Sequence, residues 1–93
     1  MNLYISLRAV NPERNINRVY EIVLSKALFN TWGVIIAYGR YGQASKQRTY
    51  NFQCVEEAKS FINKVLKKRL TAPKRIGCAY NVVNHYGLKR QHL

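Results

Sequence analysis

The chain has no aspartate and only four acidic side chains, Glu13, Glu21, Glu56 and Glu57, against 16 lysines and arginines. Beyond Glu57 the acids stop, while Lys59, Lys64, Lys67, Lys68, Arg69, Lys74, Arg75, Lys89 and Arg90 follow. This scarcity removes most carboxylate chemistry. General acid–base work needs a poised histidine or paired carboxylates at one site. Glu56 and Glu57 are adjacent on a predicted helix and point in different directions. A Ser-His-Asp arrangement lacks its acid, and His85 and His92 fall in a C-terminal stretch that reads as loose. The expectation is a protein that is not an enzyme, with no small-molecule substrate and no cofactor.

Cysteine is equally sparse. Cys54 and Cys78 are too few for a disulfide framework and read as free thiols. Cys78, His85 and His92 recur every seven residues, but no close Cys/His pair exists and a fourth ligand is missing, so no metal is expected. Long apolar runs are absent too. The longest, Val34 to Tyr38, falls far short of a bilayer span. Met1 to Leu7 carries no basic leader and is followed by Arg8, unlike a secretory signal. No membrane partner is expected, and a cytoplasmic location follows by default. Neither internal repeats nor low-complexity segments occur.

What remains is 93 residues, 47% of them hydrophobic and spread along the whole chain. That predicts one small folded domain with a modest core, not a basic disordered tail. The net charge is +12. Such an excess repels itself unless a polyanion compensates it. Nucleic acid is the commonest such partner; colloidal solubility is the bland alternative.

Hydrophobic patterning gives the elements. Leu3, Ile5, Leu7 and Ala9 alternate on one face of a first strand. Asn11 to Asn17 reads as a polar loop. Arg18 to Ser25 is a second strand, with Arg18, Tyr20, Ile22 and Leu24 sharing a face. Trp32 to Tyr38 is a third, apolar on both faces and therefore central. Gly39 and Gly42 mark a turn needing positive φ or a bulge. Lys46 to Phe52 is a fourth strand, and Cys78 to Val83 a candidate fifth. Val55, Ala58, Phe61, Ile62, Val65, Leu66 and Leu70 make one stripe of a helix over residues 55–70. Its acids Glu56 and Glu57 lie in the first turn and Lys67, Lys68 and Arg69 in the last, as the helix dipole favours. Cys54 stands where a Ser or Thr cap would be expected. The predicted class is α+β: an antiparallel meander of four to five strands with one helix across one face, occupying 1–83, with 84–93 a flexible basic tail.

The segment Trp32-Gly-Val-Ile-Ile-Ala-Tyr38-Gly39-Arg40-Tyr41-Gly42 resembles the WGR domain, named for a Trp-Gly-Arg at the end of such a strand. Tyr38 stands in the tryptophan position, with Gly39 and Arg40 matching. Upstream, Arg18-Val19-Tyr20-Glu21-Ile22 is similar to the family's basic-aromatic strand. Downstream, Glu56-Glu57-Ala58 with Phe61 looks like its helix start, and Arg75-Ile76-Gly77 with Tyr80 looks like its Gly-Tyr ending. The resemblance covers residues 2–83. WGR domains occur in DNA-break-sensing poly(ADP-ribose) polymerases and in bacterial proteins, some short and free-standing, the type that this chain resembles. In the polymerases the module binds DNA near a strand end, its Trp packs against the terminal nucleotide, and it also contacts neighbouring domains. The resemblance thus implies DNA binding, by preference at ends or nicks. ADP-ribosylation is not implied, since 93 residues leave no room for a polymerase domain. Tyrosine at position 38 offers a smaller stacking face than tryptophan. The polymerases' extra segment after the helix is replaced by a short basic loop with Lys74 and Arg75.

The expected nucleic-acid contacts are Tyr38, Gly39, Arg40, Lys46, Arg48, Lys64, Lys67, Lys68, Lys74 and Arg75. Lys46, Arg48, Lys64, Lys67, Lys68, Lys74 and Arg75 would form a phosphate ring; taken singly, each is an ordinary solvated charge. Tyr38 reads equally as a stacking platform or a core aromatic. Arg40 reads as a phosphate ligand or, slightly preferred, as the partner of Glu21. Trp32 reads as core, and the two glycines as backbone geometry. With no recognition helix apparent, sequence specificity should be weak. The alternatives are RNA binding, or a protein partner docking on the Trp32–Tyr41 surface.

Overall fold

The computed structural model describes residues 3–70 and 80–86, the last four of these by backbone alone. Strand β1 runs from Leu3 to Asn11, and its strict alternation buries Leu3, Ile5, Leu7 and Ala9. A 3-10 turn over Pro12–Arg14 leads to β2, Ile16–Lys26. Asn15 closes that turn at φ 57°, donating its N–H to the Pro12 carbonyl at 3.1 Å. Asparagine visits this left-handed region more readily than most residues. The expected polar loop is thus shorter than the sequence suggested, because turn and register consume only residues 12–15.

A second 3-10 turn, Leu28–Asn30, connects to β3, Trp32–Arg40. It is closed by the Ala27 N–H on the Thr31 carbonyl at 2.8 Å and by the Thr31 hydroxyl on the Leu28 carbonyl at 2.8 Å. Strand β4, Lys46–Phe52, follows, then helix α1, Val55–Leu70, and β5, Asn81–Tyr86. The sheet order is β4-β3-β2-β1-β5, antiparallel throughout. The first four strands form the expected meander, and β5 returns to pair with β1. β3 lies inside the sheet, although β2 holds the middle place. β5 also starts and ends three residues later than expected, so Asn84–Tyr86, read as the start of the tail, belong to the sheet.

Helix α1 covers one face of the sheet. Ala58, Ile62 and Leu66 meet Ile5, Leu7, Ile22, Leu24, Val34 and Ile36 in one core. Each fully buried aliphatic side chain there contributes roughly 1.5–3 kcal/mol. Cys54 precedes the first helical residue, and its thiol donates to Glu57 Oε1 at 3.5 Å, a side-chain contact that leaves the first-turn backbone N–H groups without the usual hydroxyl acceptor. The other face, with Tyr4, Ser6, Arg8, Val19, Glu21, Val23 and Ile35, is covered by no described element.

The connections give the molecule two distinct ends. β4 finishes beside Trp32, so α1 begins at that end, with Glu56 and Glu57 in its first turn. Sixteen helical residues span about 24 Å. That matches roughly 20 Å of strand from Trp32 to Tyr38. The last turn, with Lys67, Lys68 and Arg69, is thereby delivered to the Tyr38 end.

Candidate nucleic-acid interface

Antiparallel register builds this end. Tyr38 lies opposite Tyr20 on one side and Lys46 on the other, and all three share the helix-covered face. The Tyr20 and Tyr38 rings stack with centres 6.1 Å apart and planes at 27°. Tyr80 packs edge-on against Tyr20 at 6.0 Å. Tyr20 and Tyr80 are buried, at 5% and 7% exposure, whereas Tyr38 is only partly covered. One side of Tyr38 thus packs on the core, as expected of a core aromatic, and the rest stays accessible.

Cations surround this ring cluster. Arg48 is exposed, and hydrogen bonding first to Tyr38 and then to Tyr50 raises its pKa above the ordinary arginine value. The Arg69 Cζ lies 4.7 Å from the centre of the Tyr20 ring, a cation–π distance. Its Nε is buried and has no hydrogen-bond partner among the described residues.

Arg40 does not take Glu21, the partner that charge complementarity favours. Its Nη1 donates to the Asn15 backbone carbonyl at 3.0 Å and its Nη2 to Asn15 Oδ1 at 2.8 Å. Register explains the difference: Arg40 lies opposite Arg18 at the strand end, while Glu21 lies opposite Ala37, farther along the strand. Glu21 instead accepts a hydrogen bond from the Tyr4 hydroxyl. Asn15, held in its left-handed turn, is therefore what fixes Arg40 at the sheet end.

The turn after β3 supports the site through its backbone. Tyr41 N–H donates to the Asn17 carbonyl at 2.9 Å and Gln43 N–H to the Arg40 carbonyl at 3.1 Å. Gly42 has φ 81°, which a side chain would strain.

The expected contacts divide into groups. Tyr38, Gly39, Arg40, Lys46 and Arg48 come together at this end. Lys67 and Lys68 occupy exposed positions in the last helical turn. Lys64 lies farther back, lining shallow grooves with Lys59 and Asn63 and with Phe52 and Phe61. Lys74 and Arg75 lie outside the described residues, as does Cys78. Three residues that pack at this end stand outside the expected set: Tyr20, Tyr80 and Arg69. Arg69 carried a legible signal, because it falls on the helix's apolar stripe, three residues after Leu66 and four after Val65. Trp32 packs against the core at the opposite end of β3, and Val34 and Ile36, between it and Tyr38 on the helix-covered face, are buried.

Among the described residues no group of three His, Cys or Glu side chains could hold a metal, and no helix is long and apolar enough to cross a membrane. Comparison with curated proteins gives no match. The family model of the WGR domain matches residues 3–72, from the first strand through the end of the helix, and the chain therefore belongs to the WGR domain family, in general a nucleic-acid-binding type of module.

Proposed function

We propose that this chain is a DNA-binding module with weak sequence specificity and a preference for strand ends or nicks, and that it performs no catalytic step. The observation that carries the reading is the partly exposed Tyr38 ring, backed by Tyr20 and flanked by Arg48, Lys46, Arg40 and Arg69. A base or sugar needs an open aromatic face to pack on, and it meets one only where the duplex stack is interrupted. Base–aromatic stacking contributes about 1–3 kcal/mol. The adjacent cations neutralise phosphates and release counterions, which makes the affinity depend on salt. α1 lays its apolar stripe on the sheet and presents Lys64, Lys67 and Lys68 outward, an arrangement suited to phosphates and not to base edges.

The test is fluorescence anisotropy with a phosphorylated open duplex, a nicked duplex and a covalently closed hairpin, each at two salt concentrations. Tighter binding to the open and nicked forms, lost in Tyr38→Ala, is expected. Equal binding to all three removes the end preference. An affinity indifferent to salt removes the nucleic-acid reading in favour of a protein partner, and tighter binding to a matched RNA duplex reassigns the ligand.

A further inference from the structure

The uncovered face of the sheet carries a recess beneath the β3–β4 turn, with a volume of about 310 Å³. That lies at the small end of ligand-binding clefts. Its walls include Ser6, Arg8, Glu21, Gly39, Tyr41 and Gly42. One wall is planar and cationic: the Arg8 Cζ lies 3.7 Å from the centre of the Tyr41 ring. Arg8 Nε and Nη2 both donate to Asn17 Oδ1, at 3.3 and 3.2 Å, which fixes the guanidinium in that stack.

The other wall is the half-buried carboxylate of Glu21, whose hydrogen-bond partner among the described residues is the Tyr4 hydroxyl. A carboxylate offers about four lone-pair sites, so most of its accepting capacity is left. In a chain with 16 cations, the two arginines lining this recess are both engaged elsewhere, Arg8 on Asn17 and Arg40 on Asn15. A carboxylate in such a position calls for N–H donors.

The two walls select a ligand class. An anion is repelled by Glu21 and a simple cation by Arg8 and Arg40. A flat, neutral molecule with two adjacent N–H donors satisfies both. We propose that the recess binds an unpaired guanine base, its plane against the Arg8–Tyr41 pair and its ring N–H and exocyclic amine donating to Glu21. Adenine and cytosine place their amine beside a ring-nitrogen acceptor, which the carboxylate repels. Thymine and uracil set their N–H between two carbonyls. The proposal rests on the nucleic-acid reading and deepens it. Tyr38 and Gly39 are consecutive and face opposite sides of the sheet, so a terminal pair on Tyr38 leaves an overhanging nucleotide free to cross the turn into the recess.

The test is titration of the full chain with guanosine, adenosine and cytidine monophosphates and with inorganic phosphate, followed in the amide NMR spectrum. Saturable shifts of Ser6, Val19, Gly39 and Gly42 with the guanine nucleotide alone are expected. Glu21→Gln should weaken that binding by about tenfold or more, Arg8→Ala should also weaken it, and Leu28→Ala, in the exposed turn at the far end of the sheet, should leave it unchanged. Equal shifts with all three nucleotides or with phosphate, or no shift up to about 10 mM, would overturn the assignment. The wild-type comparison stands even if a variant fails to fold. Selective guanine binding without duplex binding would keep the recess and discard the DNA reading. Duplex binding that needs Tyr38, without any base preference, would do the reverse.

Discussion

Arg69→Met removes a guanidinium whose Nε is buried with no hydrogen-bond partner among the described residues and whose Cζ sits 4.7 Å from the Tyr20 ring centre. An unpaired buried donor costs about 1–3 kcal/mol. The cation–π contact returns about 0.5–2 kcal/mol. Methionine keeps the stem's packing and adds a sulfur–aromatic contact. The variant should therefore be as stable as the parent or up to about 1 kcal/mol more stable, a rise of at most 4–8 °C in Tm for a domain of this size. The same change should harm binding. A charge-assisted bond to phosphate lost from the rim is worth about 1.5–3 kcal/mol, or roughly 10- to 100-fold in affinity. Loss of one phosphate contact should also flatten the log–log salt slope by about 0.9. Thermal unfolding by circular dichroism and anisotropy at two salt concentrations measure both effects. A variant more than about 8 °C less stable with unchanged DNA affinity would refute the reasoning and make Arg69 a structural post.

Tyr38→Ala should weaken DNA binding by about 1–3 kcal/mol, while Tyr38→Phe should keep most of that and lose only the Arg48 contact; anisotropy separates the two. Ile22→Ala, at 0% exposure, should cost about 2–5 kcal/mol in a denaturant titration. Phe29 is 93% exposed and held at φ 60°, so Phe29→Gly should raise stability by about 1 kcal/mol, read as a shifted denaturant midpoint. Arg48 has a raised pKa in the fold, so its charged form contributes fully below the ordinary arginine value and is lost only as pH rises through the raised one. The affinity ratio of wild type to Arg48→Ala should thus stay flat from about pH 6 to pH 9.

Much of the fold was legible because its periodicities are clean. The alternation Leu3-Ile5-Leu7-Ala9 and the stripe Ala58-Ile62-Leu66 both reappear as buried sets. Element ends were less legible. Asn15 and Asn30 take left-handed conformations that let turns close in few residues, so β2 runs two residues earlier than its apolar pattern began. The last strand was misplaced because its pairing with β1 passes a register shift between Ser6 and Leu7, which local pattern does not reveal. At the candidate site, Tyr38, Arg40 and Arg48 were singled out from type and position, and the register gathers them at one end of the sheet. The partner of Arg40 was not, because charge complementarity pointed to Glu21 while register set Asn15 beside it. Tyr20 and Tyr80 were read as strand and family-ending residues; only long-range packing sets Tyr20 against Tyr38 and Tyr80 against Tyr20.

The most direct measurement is the footprint of a short blunt duplex on the amide NMR spectrum of the intact chain. Binding at the tyrosine end should shift Tyr20, Tyr38, Lys46, Arg48 and Arg69 and leave Leu28, Phe29 and Glu56 unmoved. Shifts gathered around Leu28, Phe29 and the start of α1, with the tyrosine end silent, would contradict the account.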